Sequence, residues 1–118
     1  MGNSLLSEKS LLFAAEIIEL HRLLVTERKE YVISKQLVRS GTSIGANISE
    51  ANYAQSRADF INKMQIALKE AAETEYWLKL LRITGLLTDR KASQVLEKCL
   101  ELKRMLVSSI NTARNRQK

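Results

Sequence analysis

The chain has 118 residues, a length that suits one domain, residues 1–118, able to bury about two thirds of the surface its unfolded form exposes. Hydrophobic residues make up 45% and charged residues 27%, a globular balance, and the absence of proline permits long uninterrupted helices. The formal net charge is +6, no apolar run approaches the roughly 20 residues that span a bilayer, and no secretory leader pattern opens the chain, so a cytoplasmic protein without a membrane partner is expected.

The first predicted helix covers about 4–26. Two apolar rows run along it at helical spacing, one through Leu5, Leu12, Ala15, Ile18 and Leu23, the other through Leu6, Phe13, Ile17, Leu20 and Leu24. Together they predict a wide core-facing stripe. Ser7 and Glu8 carry the residue types of a helix start, and the polar run 26–30 reads as the first turn.

The second predicted helix covers about 31–55. Ile33, Leu37, Gly41, Ile44, Ile48 and Ala51 recur every three or four residues. Propensity alone would make the stretch Ser40–Asn47 a loop, since glycine costs about 1 kcal/mol against alanine inside a helix. The unbroken apolar period predicts helix instead, with Gly41 and Gly45 on one face where a neighbouring helix or chain can approach closely.

The third predicted helix covers about 57–83. Ser56 is placed to cap it and Asp59 stands at the third helical position, a capping-box arrangement. Phe60, Met64, Ala67, Ala71, Thr74, Leu78 and Leu81 form its stripe, and Gly85 fits the position just past its end. The fourth, about 89–113, starts after the capping residue Thr88 and carries Ala92, Val95, Cys99, Leu102, Leu106 and Ile110 close to a heptad seam. Residues 114–118 read as a basic tail. Short links between long helices make neighbours antiparallel, so the expected fold is an all-α, up-down-up-down four-helix bundle.

Patterns that carry catalysis are not found. A bundle di-metal centre needs four carboxylates and two histidines, and the chain has one histidine, His21, with no Glu-x-x-His pair. His21 reads as a surface or boundary residue and Cys99, among leucines, as a small buried hydrophobe. There is no phosphate loop, dinucleotide fingerprint or nucleophile elbow. No enzyme, no metal and no cofactor are expected.

Two polar features stand out. Gln36, Arg39, Ser43, Asn47 and Glu50 form a continuous polar row beside the apolar stripe of the second helix. It reads as a hydrogen-bond ladder, within the chain or between subunits, with Arg39 able to pair with Glu70 or Glu73. The alternative is a contact surface for a ligand or nucleic acid. The second feature is charge: Lys103, Arg104, Arg114, Arg116 and Lys118 lie in a segment without acids, which leaves the rest of the chain close to neutral. Such a run attracts polyanions, and it also complements the negative end of a helix dipole.

The run from Gln36 through Arg39, Ser43, Ile44, Asn47, Ile48 and Glu50 to Ala51 resembles the signature of a bacterial four-helix-bundle family. That family is named for proteins encoded in intervening sequences of large-subunit ribosomal RNA genes. Asp59-Phe60, Lys63, Ala67 to Ala71 and Glu75 to Leu78 look like the rest of its pattern, so the likeness spans about residues 10–112. The resemblance implies a bundle that assembles with itself, typically as a homopentamer. It also implies a relation to the accessory variability determinant of diversity-generating retroelements, which binds nucleic acid and a reverse transcriptase through a basic surface. The expected function is a non-enzymatic, homo-oligomeric accessory factor that binds RNA or DNA through Lys103, Arg104, Arg114, Arg116 and Lys118. The alternative is a homo-oligomeric scaffold for a partner protein, without a nucleic-acid role.

Overall fold

The computed structural model describes residues 4–116. Four helices follow one another: α1 (Ser4–Glu27), α2 (Val32–Ala51), α3 (Arg57–Ile83) and α4 (Asp89–Asn115). Each packs on its neighbours in the chain, and α4 returns to close the bundle against α1 along the sparsest of the four seams. The result is an antiparallel four-helix bundle about 50 Å long and 20 Å across.

Local chemistry sets the helix ends. Ser56 is extended and its Oγ accepts the Asp59 N–H at 3.1 Å, while the Asp59 carboxylate reaches back one residue further, to the Gln55 N–H at 3.3 Å. Thr88 caps α4 by accepting the Lys91 N–H at 3.1 Å. Past α3, Gly85 takes φ +76°, the Gly85 N–H bonds the Arg82 carbonyl and the Leu86 N–H bonds that of Leu81, which closes the helix as a Schellman motif. The expected second helix ran to Gln55, yet α2 ends at Ala51. The extended backbone Ser56 needs as a cap forces the chain out of helix beforehand, and Asn52 turns its amide to the Ser7 Oγ instead.

The turn between α1 and α2 lacks glycine, and Lys29 takes the left-handed conformation at φ +55°. From there Glu30 caps α2. Its Oε2 accepts the N–H groups of Val32 and Ile33, each at 3.0 Å, and its Oε1 accepts that of Ser34 at 2.7 Å. Burial alone would raise the Glu30 carboxyl; the three backbone N–H groups outweigh it and hold the group below its ordinary value. At the same end, Arg28 ties the two loops together by donating to the Gly85 carbonyl at 3.0 Å.

The predicted stripes of α2, α3 and α4 point inward. On α1 only the row Leu6, Phe13, Ile17, Leu20 and Leu24 is buried; Leu5, Leu12 and Ile18 of the other row are exposed, a narrower core face than expected. The glycines of α2 serve α1. A Cβ on Gly41 would stand 2.8 Å from Ile17 Cγ2, and one on Gly45 would stand 3.3 Å from the Ser10 carbonyl oxygen. The stretch Ser40–Asn47 is uninterrupted helix, because its small residues let α1 come close enough to bury Ser10, Phe13 and Ile17. Two buried hydroxyls satisfy each other across α2 and α3, Thr74 donating to Ser40 Oγ at 2.9 Å.

Candidate nucleic-acid interface

The polar row of α2 lies on the outer face of the α2–α3 seam, and each of its residues has a partner within the chain. Arg39 donates to Glu70 at 3.4 Å and to Glu73, and its Nε lies 3.4 Å from Gln36 Oε1. Ser43 Oγ donates to the Arg39 carbonyl at 2.7 Å and the Asn47 amide to the Ser43 carbonyl at 2.8 Å. Lys63 closes the row on Glu50 at 3.0 Å. Glu73 also accepts from the Trp77 indole at 3.0 Å. That bond first, and Arg39 after it, hold the Glu73 carboxyl below its ordinary value. The Glu73 hydrogen bond in turn raises the Arg39 guanidinium. The row therefore works as a brace between α2 and α3.

The four described cationic positions, Lys103, Arg104, Arg114 and Arg116, do not form one cluster. Lys103 lies in mid-helix, 2.7 Å from Glu75, which also takes Lys79 at 2.8 Å. The Lys103 hydrogen bond is the main reason the Glu75 carboxyl sits below its ordinary value. Arg104 is exposed and takes part in none of the ion pairs among the described residues. Arg114 lies in the last turn of α4 and Arg116 caps that helix, both exposed and about 15–20 Å along the axis from Arg104. Lys118 lies outside the described residues. The stretch expected as a tail from 114 onward is still helix at Asn115, so Arg114 also complements the negative end of the α4 dipole.

The antiparallel order adds two residues to this end that sequence reasoning passed over. The start of α3 and the α2–α3 turn lie at the same end of the bundle as the end of α4, so Arg57 and Tyr53 share that end with Arg114 and Arg116. Tyr53 is 84% exposed, more than any other large hydrophobic residue among those described. Arg57 buries its Nε without a hydrogen-bond partner, while its residue as a whole stays half-exposed. An exposed aromatic ring and exposed guanidinium groups at one end of a bundle offer the two contacts that hold single-stranded nucleic acid, rings stacking on bases and cations on phosphates. The one signal in the sequence was Tyr53 itself, a large ring near the end of the predicted second helix.

Cys99 is buried, its Sγ 3.3 Å from the Ala71 carbonyl oxygen, and burial pushes its thiol up to about 12. Among the described residues no group of three or more histidine, cysteine or acidic side chains is placed to hold a metal ion, and no helix is long and apolar enough to cross a membrane.

The chain matches the family described as 23S rRNA-intervening sequence protein over residues 3–108. It is also similar to a solved protein of unknown function from the S23 ribosomal protein family of Bacteroides thetaiotaomicron VPI-5482. Identity is 53% and the TM-score 0.92, over 94% of this chain and 99% of that one. A comparison with curated proteins gives no match. The chain belongs to the 23S rRNA-intervening sequence protein family.

Proposed function

From that membership and from the end of the bundle where Tyr53 and Arg57 join Arg114 and Arg116, we propose that the protein is a non-enzymatic, self-associating accessory factor that binds nucleic acid. The observation that carries the reading is the exposed Tyr53 ring at the cationic end. Arg114 and Arg116 supply contacts to phosphates, and the ring supplies a stacking platform indifferent to sequence. The relative's name, an S23 ribosomal protein family member, favours RNA over DNA as the first ligand to try. A homopentamer would repeat the cationic end five times around one axis. A reverse transcriptase, the partner suggested by the resemblance to retroelement accessory proteins, would be reached through the same basic surface, and the protein would act in the cytoplasm.

The test is fluorescence anisotropy with single-stranded RNA and DNA at low and moderate salt. The full chain, a truncation after Ile110 and Tyr53→Ala are compared. Stacking on one base is worth about 1–3 kcal/mol, so Tyr53→Ala weakens binding by roughly 5- to 150-fold. The truncation flattens the salt dependence, because each lost phosphate contact removes about 0.7 from the slope on single strands. Equal weak binding by all three chains would sink the reading.

A second reading keeps self-association and drops nucleic acid. It is favoured by the exposed leucines of α1 and by the pairing of Lys103 with Glu75, which removes one expected cation. In that case the chain is a scaffold for a partner protein. An assembled chain that binds neither RNA nor DNA at low salt selects it.

A further inference from the structure

Two apolar ridges face outward from neighbouring helices. On α1, Leu5 and Leu12 are 53% and 63% exposed, with Glu8 between them in the chain. On α4, Leu100 and Val107 are 37% and 43% exposed, with Arg104 between them. Glu8 and Arg104 are exposed, and neither takes part in an ion pair or hydrogen bond among the described residues. A free carboxylate flanked by apolar residues on one helix thus has its counterpart in a free guanidinium flanked by apolar residues on another.

The spacings mirror each other. Positions 5, 8 and 12 read apolar, acidic, apolar; positions 107, 104 and 100 read apolar, basic, apolar. Laid antiparallel in one register, the two ridges set Leu5 on Val107, Glu8 on Arg104 and Leu12 on Leu100. The heights agree as well. Within the chain, Lys9 pairs with Glu101 at 3.2 Å and Glu16 with Lys98 at 2.9 Å, so Leu12 is nearly level with Leu100 along the bundle axis.

The ridges cannot meet in one chain, because they lie on different flanks. Leu12 borders the cleft of the sparse α1–α4 seam, together with Lys9, Phe13, Glu16, Lys98 and Glu101. Leu100 and Val107 lie with Lys103, on the side of α4 that turns to α3 and Glu75. A chain therefore offers the α1 ridge to one neighbour and the α4 ridge to another.

We propose that the α4 ridge of one chain docks antiparallel on the α1 ridge of a second copy of the same chain, Glu8 of one pairing with Arg104 of the other. Self-docking of either ridge about a two-fold axis is disfavoured, since it would bring Glu8 against Glu8 or Arg104 against Arg104. The contact is heterologous, so it propagates and closes into a ring when the rotation per step allows. Because the ridges are level, successive bundles keep parallel axes and every copy turns its Tyr53 and Arg114 end to the same rim. Arg104 then belongs to the assembly and not to the nucleic-acid surface. This pairing rests on the self-association proposed above.

Sedimentation velocity on the full chain tests it. Glu8→Arg and Arg104→Glu each put like charges in the contact and shift the chain toward monomer, and the double variant restores assembly. All the altered residues are exposed, so circular dichroism should show unchanged helix content. Directionality is tested by mixing Leu12→Asp with Leu100→Asp: each alone is a monomer, and the mixture stops at a one-to-one dimer, because only one intact pair of ridges remains. A wild-type chain that sediments as a monomer overturns self-association and the pairing with it. An assembled wild type that tolerates either single charge swap, or is not rescued by the double one, leaves self-association standing and overturns the pairing.

Discussion

Replacing Glu30 removes the cap of α2. The carboxylate accepts three backbone N–H groups at 2.7–3.0 Å, and Tyr31, the residue at the N-cap position, contributes no side-chain bond. Loss of a capping side chain costs about 0.5–2 kcal/mol, and an acid at a helix start adds about 0.3–1 kcal/mol through the dipole. Glu30 is half-exposed, which reduces the second contribution. Glu30→Ala should therefore cost about 1–2 kcal/mol at pH 7, and Glu30→Gln, which keeps one acceptor, about half that. At this chain length the alanine variant loses roughly 4–8 °C in Tm.

The pH dependence identifies the cause. The folded carboxyl lies below its ordinary value of 4.5. Its contribution is complete above about that pH and is lost as pH falls through the depressed folded value. Urea denaturation followed at 222 nm, at pH 7 and near pH 2.5, should show wild type and Glu30→Gln separated at the first and converging at the second. The comparison cancels the parallel effects of Glu73 and Glu75, whose carboxyls are also held low. Equal stability at pH 7, or a gap that persists undiminished in acid, would refute the capping argument.

Two further outcomes follow from packing. Gly41→Ala should destabilise by about 1–3 kcal/mol, although alanine is the better helix former, because the new Cβ meets the buried Ile17 side chain at 2.8 Å; thermal denaturation at fixed protein concentration measures it, and a gain in Tm would contradict the close approach. Cys99 should resist a thiol-specific disulfide reagent at pH 8 until denaturant is added, since its thiol is buried and pushed up to about 12; rapid labelling of the native chain would show that the α3–α4 seam opens.

Much of the bundle was legible in the sequence because its causes are local. Apolar period places α2, α3 and α4, and Ser56, Thr88 and Gly85 mark ends through bonds that reach no further than five residues. The same logic identified Ser40–Asn47 as helix, although only the approach of Ile17 and Ser10 explains why that helix tolerates glycine. The Glu30 cap escaped notice because it depends on Lys29 entering the left-handed region, which nothing in a charged run announces.

The candidate site was legible only in part. The chain's residues by themselves determine the four helices, the core faces of α2, α3 and α4, and the excess of cations past residue 102. Tertiary structure decided which charges remain available. Lys103 is taken by Glu75, 28 residues away, and Arg39, which the sequence allowed either Glu70 or Glu73, pairs with both. It also decided that Leu6, Phe13 and Ile17 enter the core while Leu5 and Leu12 stay outside, although both rows repeat at helical spacing. Periodicity reports that a helix has an apolar face; which of two adjacent rows is covered depends on where the other three helices stand. The placing of Tyr53 and Arg57 at the same end as Arg114 and Arg116 has the same origin, since antiparallel packing brings to one end residues the sequence keeps some 60 positions apart.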